Sequence, residues 1–510
     1  MAVTLDGKSL TIEDVVKIAR DGEAVAVAEE AWERIRACRA MLDDKVQKRE
    51  VMYGVTTGIG ELSEVVLTPE QTEEFQRYLV YSHSAGCGEP FEEEAVRAAT
   101  ASRINCHCVG YSGLRPVVVE TLVDMLNKGV TPVVFEHGSV GASGDLSPMS
   151  QIALVVMGEG EAFYQGKRLP GAEAMAAAGI APLVFEARDG LATINGSNVI
   201  AGLGALEIYD AYRWLKTQEV VAAMTFEVLN LTTLCLDERL HAARGYPGAV
   251  TCAANLRRLV EGSEMLLPGK IGKKKVQNAY SLRSTPQVAG SAKDASDWAR
   301  QMFEIELNGA GDNPLFFPAD DEVVTGANFQ GTPLAFALEL LGTAVTTVSV
   351  LSERRLNRLL NPNLNEGLPA FLIHGAGMFS GLMLTQYTAG MLVNESRILS
   401  HPAAIGSIPA AADQEDFVSM GMNTALKTKQ ILRNAWYVVA IELMAACQAV
   451  DHRRPLTGSP SAEAVYTLVR QHVDFMEEDR PTQYDINRVK ELVESGEVLA
   501  TAEQVVGELG

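Results

Sequence analysis

A mainly α-helical fold, an elongated helical bundle with a smaller mixed N-terminal portion, is what this 510-residue sequence predicts. Three observations carry the expectation. Apolar residues recur at three-to-four spacing through most of the chain. The periodic segments lengthen beyond residue 190, and strand candidates are few and short. With 47% hydrophobic and 21% charged residues, the chain has enough apolar content for a substantial core.

The elements follow in order. Residues 11–45 (TIEDVVKIAR, then VAVAEEAWERIRACRAML) keep a helical rhythm, with Thr11 and Asp14 as its start. Residues 93–128 repeat it, interrupted at VGYSGLRP. VTPVVF (130–135) and EAFYQGKRLP (161–170) read as strands, the second turning at Gln165-Gly166. Between them, Ser147 reads as the cap of a helix whose first turn holds Pro148. TPLAFALELLGTAVTTVSVLSERRLNRLL (332–360) would run about 40 Å at 1.5 Å per residue. Residues 377–400 and 417–450 are similar, and helices apolar over more than one face must pack against several neighbours. Residues 436–450 (WYVVAIELMAACQAV) contain Glu442 and are too short to span a bilayer, so they read as a buried helix.

Charge and cysteine usage narrow the class. A net charge of −22 argues against nucleic acid, whose phosphates would be repelled. The start MAVTLDGKSL has no basic stretch leading into an apolar run, which predicts no secretory signal. Seven cysteines, an odd count, fit a reducing compartment, and the expectation is a cytoplasmic protein without a membrane partner. Cys106-His107-Cys108 invites a zinc reading, but a structural site needs four ligands and no second pair stands out. Buried helix cysteines are preferred and no metal is expected.

The small-residue stretch GSVGASGDLSP (138–148) is the most informative. It has no lysine for a P-loop, and its Gly138, Gly141, Gly144 spacing is not the dinucleotide fingerprint. A capped helix accounts for residues 147 onward but not for Ala142-Ser143-Gly144-Asp145. Without a Cβ, Gly144 can bring its backbone nitrogen to the Ala142 carbonyl carbon. Ring closure with loss of two waters would leave an exocyclic methylidene, an electrophile made without a cofactor.

GSVGASGDLSPMSQIAL closely resembles the signature of the aromatic amino-acid ammonia-lyases and aminomutases, in which Ala-Ser-Gly cyclises to methylidene-imidazolone. The resemblance spans essentially the whole chain. YGVTTGIGELS (53–63), RINCHCVGYSGLRP (103–116), LATINGSN (191–198), QNAYSLRSTPQ (277–287), ELNGAGDNPL (306–315), GANFQG (326–331) and QEDFVSMG (414–421) follow in the family's order. It implies the aspartase-like helical fold and a single catalytic unit over 1–510, with an N-terminal portion to roughly 190 and a long-helix bundle from roughly 191. It also implies a prosthetic group formed from Ala142, Ser143 and Gly144 with no metal or diffusible cofactor, and a homotetramer with shared active sites. The Gly-Ser-Ser loop with Met-Pro-x-Lys of the related aspartase/fumarase enzymes is not found.

The implied reaction removes ammonia from an aromatic L-amino acid by breaking a weakly acidic Cβ–H bond, which calls for an electrophile, a base and anion recognition. By resemblance Tyr53 is the base, on a loop that Gly54, Gly58 and Gly60 suit for closing over substrate. Arg283 is the carboxylate clamp, because guanidinium offers two parallel hydrogen bonds. Gln277, Tyr280 and Arg283 would share one face if helical. Asn195 and Tyr280 are implied to hold the prosthetic ring and substrate, with Asn313 and Phe329 as wall residues; core packing is the rival account of Phe329.

Gly60, Ser82, His83 and Glu415 are implied to lie around the substrate, and side-chain choice rests on the last three. Ser82-His83, Gln414-Glu415-Asp416 and His401-Pro402 are similar to the histidine lyases, and a carboxylate at Glu415 suits an imidazole. Phe417, Gln330-Gly331-Thr332 after Phe329, and Thr56 depart from that subgroup, and Ser-His also occurs in a tyrosine aminomutase subgroup. The favoured expectation is L-histidine to urocanate; the alternative is a tyrosine or phenylalanine ammonia-lyase or 2,3-aminomutase. Lyase and mutase share the electrophile and differ in whether ammonia leaves or returns at Cβ.

Overall fold

Helices account for most of the chain, as the periodicity predicts, and the long ones are the main architecture. The structure is a computed structural model that describes residues 2–510, the side chain of Glu73 aside. It has two compact units: Met1–Tyr209 with Ala299–Glu339 and Pro402–Leu426, and Asp210–Trp298 with Leu340–His401 and Lys427–Gly510. The strands among the described residues all belong to the first unit, and the second is helical.

Local sequence explains the element boundaries. Thr11 caps the Ile12–Ala19 helix by accepting the Asp14 N–H, the start that the sequence predicts. The rhythm over 11–45 does not make one helix. Val25–Val27 pairs in parallel with Val3–Leu5, and a second helix then runs Glu29–Gln47. The β-branched residues around Ala26 favour that short strand. Residues 93–128 give Glu93–Cys108 and Pro116–Lys128, the latter closed by left-handed Gly129. VTPVVF splits between two sheets. Thr131–Pro132 pairs with Glu161–Tyr164, whereas Phe135–His137 pairs with Cys87–Pro90. The hairpin at Gln165-Gly166 forms as expected, both residues having positive φ.

The long helices are Asn198–Val228, Thr285–Leu307, Thr332–Leu360, Met383–Leu399 and Gly421–Arg453. Thr332–Leu360 is long and apolar enough to cross a membrane by length and composition, and 61% of its apolar window is buried inside the fold. Residues 436–450 lie in the Gly421–Arg453 helix and are largely buried. Their Glu442 is fully buried yet fully engaged: Arg355 donates to both its oxygens, at 2.6 and 2.8 Å, and Ser352 and Thr225 also donate to it. Paired and hydrogen-bonded, a carboxylate is tolerated there; alone it would not be. Cys106, His107 and Cys108 are buried together in one helix, where burial pushes both thiols up, to about 11 and about 12.

Glu227, near the end of the Asn198–Val228 helix, is 1% exposed and accepts from Ser263 Oγ and Ser459 N, both at 2.9 Å. Burial pushes its carboxyl up to about 7 from 4.5. Between those values the folded chain holds a proton that the unfolded chain has released, so this group favours folding at low pH and loses that contribution as pH rises through about 7. Glu227→Gln keeps the acceptor and removes the titration. Its stability relative to wild type should therefore rise by up to ~3 kcal/mol between pH 4.5 and 8, at 1.36 kcal/mol per unit. Denaturant titrations at the two pH values test this, and a pH-independent difference contradicts it.

Candidate active site

The stretch Ser139–Asp145 forms a tight reversal in the first unit. Gly141, Ser143 and Gly144 have φ of +83°, +52° and +78°. Serine rarely adopts such a conformation, and one held there is strained. Gly141 bridges Gly144 across the turn, and Gly144 in turn bridges Gly196. A Cβ on Gly144 would stand 2.7 Å from Ser197 N and closer still to the Gly196 carbonyl, so glycine is required by space as well as by φ.

Neighbouring segments hold both limbs. Met420 N donates to Val140 O at 2.9 Å, and Asp145 N to Gly196 O at 2.8 Å. The Asp145 carboxylate is fully buried and accepts from Ile200 N at 2.9 Å and from the Ser139 hydroxyl at 2.9 Å. Burial pushes it up to about 7. Sequence reasoning left Asp145 and Ser139 without roles; only their adjacency to the tripeptide could have singled them out. The helix after the turn runs Leu146–Val156, with Asp145 at the cap position. Ser147 is therefore not its cap. Its hydroxyl accepts from Ala85 N at 3.3 Å instead, tying the segment after His83 to the turn.

One further segment reaches Ser143 directly, and two others lie against its neighbours. Glu415 Oε1 is 3.3 Å from Ser143 Oγ. Ala410 and Glu415 exchange backbone hydrogen bonds at 2.9 and 3.2 Å, and the loop they close has positive φ at Ala411, Ala412 and Asp413. Tyr53 lies on the glycine-rich loop, where its phenolic oxygen accepts the Gly60 N–H at 3.0 Å. Burial raises its ionisation above the usual phenol value; the Gly60 N–H works against this and the Glu415 carboxylate adds to it. Gly60 itself faces Ala411 and Gln414. Phe329 is half-buried, its carbonyl accepting from Ser197 Oγ at 2.8 Å beside the Gly196–Ser197 wall of the turn.

Asn195 and Asn313 are fixed by a buried ionic cluster. Asp312 Oδ1 accepts from Asn195 Nδ2 at 3.0 Å, Arg188 at 2.8 Å and Asn313 N at 2.7 Å. Arg103 stands 3.5 Å from its other oxygen and also donates to Gly311 O and Asn198 Oδ1, both at 3.0 Å. Asn195 donates as well to Asn313 O at 2.9 Å, and Asn313 Oδ1 accepts Gly326 N–H at 2.7 Å. Asp312 and Arg188 were missed from the sequence, because a charged residue in a motif does not announce that it is buried.

Ser82 and His83 end the Pro69–His83 helix. His83 Nδ1 donates to Leu79 O at 2.8 Å, which leaves Nε2 as the free ring nitrogen. Gln277, Tyr280 and Arg283 belong to the second unit. The helix there is only Tyr280–Arg283, so Gln277 does not share a helical face with the other two. Arg283 stacks on the Tyr280 ring at 4.5 Å, and its Nε donates to Asn278 O. The terminal guanidinium nitrogens have no hydrogen-bond partner among the described residues, and Tyr280 is 71% exposed. No group of three or more metal-ligating side chains occurs among the described residues.

A helical framework that holds a strained Ala-Ser-Gly turn with a carboxylate against it marks a carbon-nitrogen lyase. The chain belongs to the aromatic amino acid lyase family, whose model matches residues 10–471. It is 45% identical over 504 residues to the histidine ammonia-lyase of Alkaliphilus oremlandii, covering 99% of each chain. Among solved structures, histidine ammonia-lyase from Trypanosoma cruzi matches with a TM-score of 0.92 at 38% identity, over 99% of this chain and 96% of that one. Tyrosine aminomutase from Streptomyces globisporus matches with a TM-score of 0.94 at 37% identity, over 99% of both.

Asp312→Ala would leave Arg103 and Arg188 buried without their shared anion, a change that costs about 3–5 kcal/mol. Calorimetry should show a lowered unfolding temperature. An unaltered one would mean that the cluster does not hold the site.

Proposed function

We propose that the protein is a histidine ammonia-lyase that converts L-histidine to urocanate and ammonia, with a cytoplasmic location and a small-molecule substrate. The observation that carries this reading is the Glu415 carboxylate 3.3 Å from Ser143 Oγ. A cationic or hydrogen-bonding imidazole would be held beside the reacting turn by a charge-assisted contact that a phenyl ring cannot make. The full-length similarity to histidine ammonia-lyases supports the same choice.

The turn fits a self-formed methylidene-imidazolone: Gly144 has no room for a side chain, and Ser143 is held left-handed. When formed, that group supplies an electrophile able to draw electrons from the substrate. The chain's own residues do the rest. Tyr53 takes the β-proton. Its half-buried phenol stays neutral at rest, and a cationic ring placed against Glu415 would offset the carboxylate that opposes its ionisation. Asn195, held by Asp312, orients the turn and substrate amine, while Asn313 and Phe329 form the wall. His83 presents Nε2, and Ser82 sits next to it at the helix end. Arg283 binds the substrate carboxylate through its terminal N–H groups, with Tyr280 stacked against it, and Gln277 contributes to substrate binding.

We assign Gln277, Tyr280 and Arg283 to the site of a neighbouring copy in a homotetramer. Apolar residues spaced seven apart on the Met383–Leu399 helix, Leu384, Met391 and Ile398, are 51%, 60% and 68% exposed, a stripe that a second copy would cover.

Purified protein mixed separately with L-histidine, L-tyrosine and L-phenylalanine should produce urocanate absorbance and no coumarate or cinnamate. Activity confined to tyrosine contradicts the reading and favours the aromatic alternative. Ser143→Ala should abolish deamination with an unchanged circular-dichroism melt, and an active variant overturns the electrophile. Tyr53→Phe and Arg283→Ala, each inactive alone, should regain about a quarter of the sites when co-expressed in equal amounts, since either residue can come from the intact copy. No recovery contradicts shared sites.

A further inference from the structure

Ring closure needs the Gly144 nitrogen inside ordinary non-bonded distance of the Ala142 carbonyl carbon, and a free chain rarely offers that geometry. The limbs of the turn are anchored outward, Val140 O by Met420 N and Asp145 N by Gly196 O. Those anchors set where each limb starts, not how far apart the limbs are. Besides the Gly141–Gly144 backbone bridge at the turn itself, one hydroxyl spans the gap between the limbs. Ser139 Oγ accepts the Gly141 N–H at 3.2 Å on the first limb, and on the second it donates to Asp145 Oδ1 at 2.9 Å with Gly144 O at 3.4 Å. A single proton serves that side, so the carboxylate is its main acceptor and the carbonyl a weaker, shared one. Ser139 is itself set from behind, because the adjacent Gly138 packs so closely that a Cβ there would stand 2.7 Å from Ser147 Oγ.

We propose that Ser139 is a positioning residue for the self-cyclisation of Ala142-Ser143-Gly144, its hydroxyl bolting the two limbs at the separation from which the Gly144 nitrogen reaches the Ala142 carbon. This rests on the reading that the tripeptide cyclises. The bond formed is Gly144 N to Ala142 C. The Ala142 carbonyl oxygen leaves as one water with the amide hydrogens of Gly144 and Ser143. A second water takes the Ser143 hydroxyl and the hydrogen on its Cα, leaving the methylidene. No oxidant or external group is consumed, and Ser139 exchanges no atom in the process.

The test follows full-length protein made by cell-free synthesis, sampled over time by intact mass. Wild type should become two waters lighter. Ser139→Ala should fold with an unchanged melt but lose the two waters about tenfold more slowly, the factor that one net hydrogen bond carries. Its deamination should fall in proportion to the unmodified fraction, and Ser139→Thr, which keeps the hydroxyl, should restore the rate. Should Ser139→Ala not fold, Ser139→Cys, with a weak donor of similar size, takes its place with the same expected slowing. Loss of two waters at the wild-type rate in the Ala or Cys variant overturns the proposal while leaving the cyclisation reading intact. Wild type that stays at full mass overturns both.

Discussion

Everything at the site depends on one backbone constraint: the reversal through Ala142-Ser143-Gly144 is pressed against Gly196 with no space for a Cβ at Gly144. An unstrained serine would not sit at φ +52°. The conformation persists because both limbs are hydrogen-bonded to rigid neighbours, Met420 on one side and Gly196 and Ile200 on the other. Strain over-determined by its surroundings is strain available for chemistry. A ring closed from this turn would draw its driving geometry from the fold and need no cofactor to begin.

Buried charge does the fixing. Asp312 gathers Arg103, Arg188 and Asn195, and those arginines also bind backbone carbonyls at Gly311, Asn313 and Pro314. Such a cluster adds little net stability compared with apolar packing, but it permits one arrangement and penalises others. Asn195 and Asn313 inherit that precision. By contrast, Tyr53 sits on a hairpin-like loop joined by Gly58 N to Val65 O and Leu67 N to Thr56 O, with Leu62, Val65 and Val66 exposed. A rigid turn with a tyrosine on a lightly packed loop near it is an arrangement that allows the loop to move without disturbing the turn.

The helical fold was legible because long periodic segments such as 332–360 have one way to bury their apolar residues, and that helix begins and ends where the pattern does. The errors fall where tertiary context outweighs local pattern. Val25–Val27 breaks an apparent helix because a partner strand is available, and Ser147 loses its capping role because the helix is capped two residues earlier, at Asp145. At the site, motif residues with a distinctive local chemistry, Tyr53, Ser143 and Glu415, were visible. Ser139, Asp145, Arg188 and Asp312 act through burial and long-range pairing, which leave no local trace in sequence. Gln277 shows the limit of spacing arguments: three apart implies a shared face only inside a helix, and the helix there is four residues long.

The central claim is chemical and concerns one peptide. Proteolysis of deaminating protein, followed by tandem mass spectrometry of the fragment spanning residues 138–148, reads it directly. The account predicts that fragment two waters lighter than its sequence, with the loss located within Ala142-Ser143-Gly144. The same fragment at full mass, from protein that turns over histidine, would contradict it.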